Sequence, residues 1–143
     1  MTRQGIKQIL AAVDGSVHSG LVVKKAIEMA KAFQAKIVLL HVRQKVPDIL
    51  GQPYYQQILD KYIAQAEKVV APHKSALEEN GVDYEVLILE GDPAEAINEA
   101  AQVEKCELIV MGTRGLSGIQ GLALGSVSQK LLHTAGSMVL VVP

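Results

Sequence analysis

The stretch between residues 108 and 126 decides the fold, and it reads LIVMGTRGLSGIQGLALGS. An apolar run at its start predicts a buried strand, and a helical pattern follows it from 127 to 135. Glycine allows backbone N–H groups to approach an anion closely, and the first N–H groups of a helix have no partner within the helix. Arg114 adds a forked cation that suits phosphate oxygens. The segment predicts a phosphate site, and the alternative is a flexible loop that ends in an ordinary capping serine.

Strands and helices alternate along the rest of the chain. The patterns predict strands at 6–13, 36–42, 82–89, 108–111 and 138–142, helices at 17–33, 54–79, 93–103 and 126–134, and a loop at 44–53. Ser16 and Asp92 are expected to cap the first and third helices, and Pro72 to kink or divide the second. This alternation is typical of the α/β class, with an open, mostly parallel sheet and helices on both faces.

The composition agrees with one such domain over residues 1–143. The chain is 49% hydrophobic but only 3% aromatic, so its core is built from Val, Ile, Leu and Ala, as in parallel sheets covered on both faces. A net charge of -1 without a basic block argues against nucleic acid and anionic membranes as partners. The single Cys106 excludes an internal disulfide, and no leader or membrane segment is evident, so we expect a cytoplasmic protein.

Ligands of such sheets bind at the carboxyl ends of the strands, where the winding direction reverses. Asp14 follows the first predicted strand, His41 and Val42 end the second, Gly91 follows the third and Gly112 lies after the fourth. If the first and fourth strands are neighbours, Asp14 and the glycine-rich segment face the same crevice.

Three common phosphate-handling classes do not match. The chain has no G-x-x-x-x-G-K-[ST] loop, which excludes a P-loop hydrolase. The first strand is followed by Asp14-Gly15-Ser16 and not by G-x-G-x-x-G, so the usual dinucleotide fold is unsupported. A phosphoacceptor receiver domain would need an acidic cluster after the first strand and a lysine after the fifth, and neither is present.

The spacing Gly112-x2-Gly115-x9-Gly125-Ser126 does match a known pattern. Together with AVDGS at 12–16 and VLVVP at 139–143, it resembles the ATP-binding branch of the universal stress protein family, over essentially the whole chain. The resemblance implies a Rossmann-like five-stranded sheet of order 3-2-1-4-5, in which the first and fourth strands are adjacent.

The resemblance also implies a set of nucleotide contacts. Asp14 matches an acid near the ribose or a phosphate-bound metal, and Val42 matches the residue that meets adenine. The start of the glycine-rich segment would lie along the ribose and phosphates, and the start of the following helix would hold the terminal phosphates. The implied contacts are Ala12, Asp14, Val42, Met111, Gly112, Arg114, Gly115, Gly125, Ser126, Val127 and Ser128. The alternatives are that Asp14 and Ser126 only cap helices and that Val42 is an ordinary core residue.

The family resemblance implies an ATP-binding, nucleotide-dependent regulator of the stress response, with Mg or Mn bound through the phosphates. No residue that would position an attacking water is evident, so we expect little or no turnover. A slow ATPase that uses Asp14 and a divalent cation, and a structural dimer module without nucleotide, remain alternatives. We expect a homodimer through the final strand, which is apolar, uncharged and at the sheet edge in the implied order.

The remaining chemically capable side chains predict no further site. His18, His41, His73 and His133 show no metal-ligand spacing and are expected to be surface or core residues, and Cys106 an inert packed thiol. Tyr54 and Tyr55 are expected to begin a helix and pack on the sheet, with the covering of a bound base as the alternative.

Overall fold

A computed structural model of the chain describes residues 5–113 and 126–143. Five strands and four helices alternate in the predicted order. Their bounds are β1 Gln8–Val13, α1 His18–Phe33, β2 Lys36–Arg43, α2 Tyr54–Glu79, β3 Tyr84–Glu90, α3 Pro93–Val103, β4 Leu108–Gly112, α4 Ser126–Thr134 and β5 Met138–Val142. The predicted elements are confirmed, with ends that differ by at most two residues; a short 3-10 helix, Asp48–Leu50, lies in the predicted loop.

The strands form one sheet of order β3-β2-β1-β4-β5 in which every neighbouring pair is parallel. This confirms the predicted α/β class and strand order. β1 pairs with β2 on one side, where Val13 lies opposite His41, and with β4 on the other, where Ala11 lies opposite Val110. Because all strands run the same way, their carboxyl ends share one edge of the sheet.

Helices cover both faces of the sheet, as alternate residues of the central strand show. Ile9, Ala11 and Val13 belong to a buried cluster with α1 and α2 residues, whereas Leu10 belongs to a second cluster with α3 and α4. Both clusters consist mainly of aliphatic side chains, in agreement with the composition. Across the described part of the chain, no helix is long and apolar enough to cross a membrane.

The prediction that Ser16 caps the first helix is wrong. α1 begins at His18, its N-cap residue is Val17, and no side chain caps it by a hydrogen bond. The Ser16 N–H instead donates to Asp14 Oδ1 over 2.9 Å, which closes a turn of the kind that aspartate side chains form with the backbone two residues on. By contrast Asp92 does cap α3, because its carboxylate accepts from the Glu95 N–H over 3.1 Å.

Pro72 was predicted to kink or divide the second helix, and the helix is not divided. α2 runs as one helix of 26 residues with Pro72 inside it. Val70 and Leu77 are buried on either side of the proline, which itself is exposed. Burial of the flanking turns therefore holds the helix through the missing hydrogen bond.

The tyrosines at the start of α2 follow only part of the prediction. Tyr54 does begin the helix, but it is 63% exposed, whereas Tyr55 is partly buried. The buried residues of α2 are Ala66, Val70 and Leu77, so the helix packs on the core through its carboxyl-terminal half.

Gln34 ends α1 in the left-handed conformation, with φ 56° and ψ 45°. A side chain with a Cβ is strained there, so Gln34→Gly should stabilise the fold by about 0.5 to 1 kcal/mol in urea denaturation. The matched control is Ala32→Gly, in the exposed last turn of the same helix. It should destabilise by about 1 kcal/mol. Equal effects of both changes would contradict this account of the helix end.

Candidate functional site

Asp14 lies immediately after β1 and is held by its own turn. Its Oδ1 accepts from the Ser16 N–H and lies 3.0 Å from Ser19 Oγ, while the Asp14 N–H donates to Ser19 Oγ over 2.8 Å. Ser19 is only 3% exposed, so this hydroxyl is a buried support for the turn. Asp14 itself is partly buried. The arrangement fixes a carboxylate at the carboxyl edge of the sheet, beside the junction of β1 and β4.

The apolar residues of the predicted site lie on one face of the sheet. Met111 is buried in the cluster that contains α3 and α4, and Ala12, Val42 and Val127 pack against that cluster while keeping part of their surface exposed. The structure thus brings together residues from β1, β2, β4 and α4 that are up to 115 positions apart in the chain. They form an apolar wall at the same edge as Asp14.

The end of β4 is tied to α4 by Ser128. Its hydroxyl donates to the Gly112 carbonyl over 2.8 Å, and the residue is only 2% exposed. One step further along the chain, the Thr113 N–H donates to the Val142 carbonyl of β5 over 3.0 Å. Ser128 was expected as a phosphate contact; here its proton is engaged with the backbone at the point where β4 ends.

The helix that follows the glycine-rich segment begins at the predicted place. Ser126 is the first residue of α4 and its side chain is exposed. The N–H groups of the first helical turn are directed out of the helix end and have no partner within the helix. Arg114, Gly115 and Gly125, which belong to the same prediction, lie outside the described residues.

Two cations near this edge are paired with carboxylates. Arg43 at the end of β2 lies 3.4 Å from Glu90 at the end of β3, and Lys130 of α4 lies 3.2 Å from Asp92. The Glu95 N–H and then Lys130 stabilise the charged form of Asp92, which lowers the pKa of that carboxyl. Within 5–113 and 126–143, both cations are therefore paired with carboxylates.

The histidines have different surroundings. Burial lowers the pKa of His73 on α2, and the negative charge of Asp14 partly offsets this effect. His41 Nδ1 lies 2.9 Å from the Val13 carbonyl oxygen. His18 Nε2 and Ser16 Oγ are buried and have no hydrogen-bond partner among the described residues. His133 is exposed at the end of α4.

The possible metal ligands and the cysteine of the described residues can be considered together. There, no group of three or more His, Cys, Asp or Glu side chains is arranged to hold a metal ion. Cys106 is buried, as predicted, and desolvation raises the pKa of its thiol to about 12, which disfavours the reactive thiolate.

Two supporting side chains were not identified from the sequence. Ser19 could have been found from its place in the first turn of α1, five residues after Asp14. His41 was recognised as the end of a strand, but its contact with Val13 follows from the strand register, which no local pattern contains.

Comparisons with known proteins agree with this architecture. The family model described as "Universal stress protein family" matches residues 5–143. A universal stress protein of Thermus aquaticus is 44% identical over 137 residues, which cover 95% of this chain and 98% of the relative.

Solved structures show the same fold. The structure of the hypothetical protein MJ0577 superposes with a TM-score of 0.86 at 25% identity, over 96% of this chain and 95% of that one. A universal stress protein in complex with cAMP superposes with a TM-score of 0.76 at 25% identity, over 98% of this chain and 99% of that one. The family match spans β1 to β5 and includes the turn at Asp14 and the start of α4, so this chain belongs to the universal stress protein family.

Proposed function

We propose that this chain binds ATP in the crevice at the carboxyl edge of its sheet and acts as a nucleotide-dependent regulator in the stress response. The observation that carries the proposal is the parallel pairing of β1 with β4. This pairing brings the Asp14 turn to the strand end from which the glycine-rich segment leaves. A related protein of the same fold has been solved in complex with cAMP, which supports an adenine nucleotide as the ligand.

The nucleoside has two kinds of partner at this edge. The partly exposed surfaces of Ala12 and Val42, with Met111 behind them, offer an apolar wall for the adenine ring. The carboxylate of Asp14 can accept hydrogen bonds from ribose hydroxyl groups, and its turn already holds it in position.

The phosphates would meet the start of α4. The N–H groups of its first turn and the Ser126 hydroxyl are donors, and the amino end of a helix favours negative charge. Gly115 and Gly125 complete the family spacing in the sequence. Mg or Mn would accompany the phosphates and offset the repulsion between them and Asp14.

The exposed Ser126 hydroxyl provides a sharp test. Ser126→Ala should weaken ATP binding roughly tenfold, because a hydrogen bond to a charged phosphate is lost, and should leave adenosine binding unchanged. Ser75→Ala is the matched control, since Ser75 is exposed on α2, where its hydroxyl donates to the Ala71 carbonyl. Calorimetric titration measures both ligands, and mass spectrometry of the purified protein reveals any nucleotide carried over.

A wild-type protein that binds neither ATP nor AMP would reject the proposed function and favour the structural dimer module. Equal losses for adenosine and ATP in the Ser126 variant would instead reject the placement of the phosphates at α4.

We further propose that the chain holds ATP with little or no hydrolysis. Among the described residues, Asp14 is committed to its own turn, while Arg43 and Lys130 pair with carboxylates. None of these is arranged to orient a water against the terminal phosphate.

Phosphate release with Mg or Mn should therefore stay well below about 1 per second, the lower end of the usual enzyme range. Turnover above that rate, if lost in Asp14→Asn and retained in the exposed control Asp60→Asn, would establish the ATPase alternative.

We also propose that the protein is a homodimer that pairs through β5. β5 is an edge strand of the sheet, and its sequence, MVLVV, contains no charged residue. An uncharged edge of this kind readily accepts another strand, and a two-fold axis makes the added strand antiparallel.

The hydrogen bonds of β5 identify which residues face outward. The Met138 N–H donates to the carbonyl of Glu107, which directly precedes β4. The Val142 carbonyl accepts from the N–H of Thr113, which directly follows β4. Along a strand, the N–H and C=O groups of successive residues point to opposite edges. The backbone groups of Met138, Leu140 and Val142 therefore point to β4, and those of Val139 and Val141 point to the free edge. A proline at Leu140 would thus disturb the sheet itself, whereas one at Val141 acts on the edge.

Val141→Pro should shift the protein toward monomer in sedimentation velocity, because it removes an outward N–H donor. Val141→Thr has nearly the same shape and keeps the N–H, so it should remain dimeric. A wild type that stays monomeric at high micromolar concentration would contradict pairing through this strand.

A further inference from the structure

We propose that His41 is a positioning residue for the nucleotide site, which holds the ends of β1 and β2 together and carries its proton on Nδ1. The inference rests on the proposed nucleotide binding for its functional consequence. Its structural part concerns the protein without ligand and can be tested separately.

The tautomer follows from the partner of the imidazole. His41 Nδ1 lies 2.9 Å from the Val13 carbonyl oxygen, which is an ordinary hydrogen-bond distance. A carbonyl oxygen has no proton to donate, so the proton of this hydrogen bond belongs to Nδ1. His41 is partly buried, so the bond lies out of full contact with water.

The bond joins the two positions that precede proposed ligand contacts. Val13 is followed directly by Asp14, the proposed ribose partner, and His41 is followed by Val42, which lines the proposed adenine wall. Val13 and His41 are also the last register pair between β1 and β2. The imidazole therefore adds a side-chain link where the backbone pairing of the two strands ends.

The other two supporting side chains at this edge each connect a strand end to a helix. Ser19 holds the Asp14 turn against α1, and Ser128 holds Gly112 against α4. Within the described residues, the side-chain hydrogen bond between the carboxyl ends of β1 and β2 is the one from His41 to Val13. It is thus placed to set the distance between the carboxylate and the adenine wall.

The first experiment reads the tautomer in wild-type protein without nucleotide. Long-range proton–nitrogen NMR at mildly alkaline pH, where ordinary imidazoles are neutral, distinguishes protonation at the two nitrogens. The His41 signals are assigned by their loss in His41→Asn. We expect protonation at Nδ1, and protonation at Nε2 would overturn the inference whether or not the protein binds nucleotide.

The second experiment compares His41→Leu, which cannot donate, with His41→Asn, whose side-chain amide can replace the Nδ1–H donor. Affinities for adenosine, AMP and ATP are measured below the melting temperature of each variant. His41→Leu should lower the affinity for all three ligands by a similar factor, roughly tenfold. Without the hydrogen bond the ends of β1 and β2 are no longer held together, and the nucleoside contacts both of them. His41→Asn should recover most of the affinity.

His133→Leu is the matched control, since it makes the same chemical change at an exposed position on α4. It should leave all three affinities unchanged. Equal losses in the Leu and Asn variants at position 41, or no loss in a folded His41→Leu protein, would overturn the inference while nucleotide binding stood. A wild type that binds none of the ligands would reject the proposed function, and the NMR result would still decide the role of His41 in joining the strands.

Discussion

The parallel pairing of β1 with β4 is the constraint on which the rest of the structure depends. The chain passes from β1 through β2 to β3 in one direction, then returns to place β4 on the other side of β1. In the pairing of β1 with β4, Ile9 lies opposite Leu108, Leu10 opposite Ile109 and Ala11 opposite Val110, and all six residues are buried. Burial on both faces specifies this central pairing strongly, and the crevice for a ligand lies where the winding reverses.

Three polar side chains at that edge are engaged with the protein itself. Asp14 closes its own turn, Ser128 holds the end of β4, and His41 links β1 to β2. Side chains that the protein already holds need less ordering when a ligand binds, which favours affinity.

Local signals predicted the elements well where one physical cause dominates. Aliphatic runs gave the strands, and Asp92 followed by Pro93 marked the start of α3. The predictions failed where a neighbour competes for the same group. The Asp14 carboxylate takes the N–H of Ser16, so that serine does not cap α1. The helix is also not divided at Pro72, because burial on both sides of the proline outweighs the loss of one helical hydrogen bond.

The sequence by itself determined the α/β class, the alternation of its elements and, through the family spacing, the residues of the candidate site. The class and the alternation follow from periodicity and apolar composition, which are local properties of the chain, whereas the site residues are those that the resemblance to the family implies. Only the tertiary structure decided which partners these residues have. The link between His41 and Val13, the support of Gly112 by Ser128 and the outward direction of Val141 depend on strand register and on packing between distant segments. No local pattern records those relations, because they arise only when the sheet assembles.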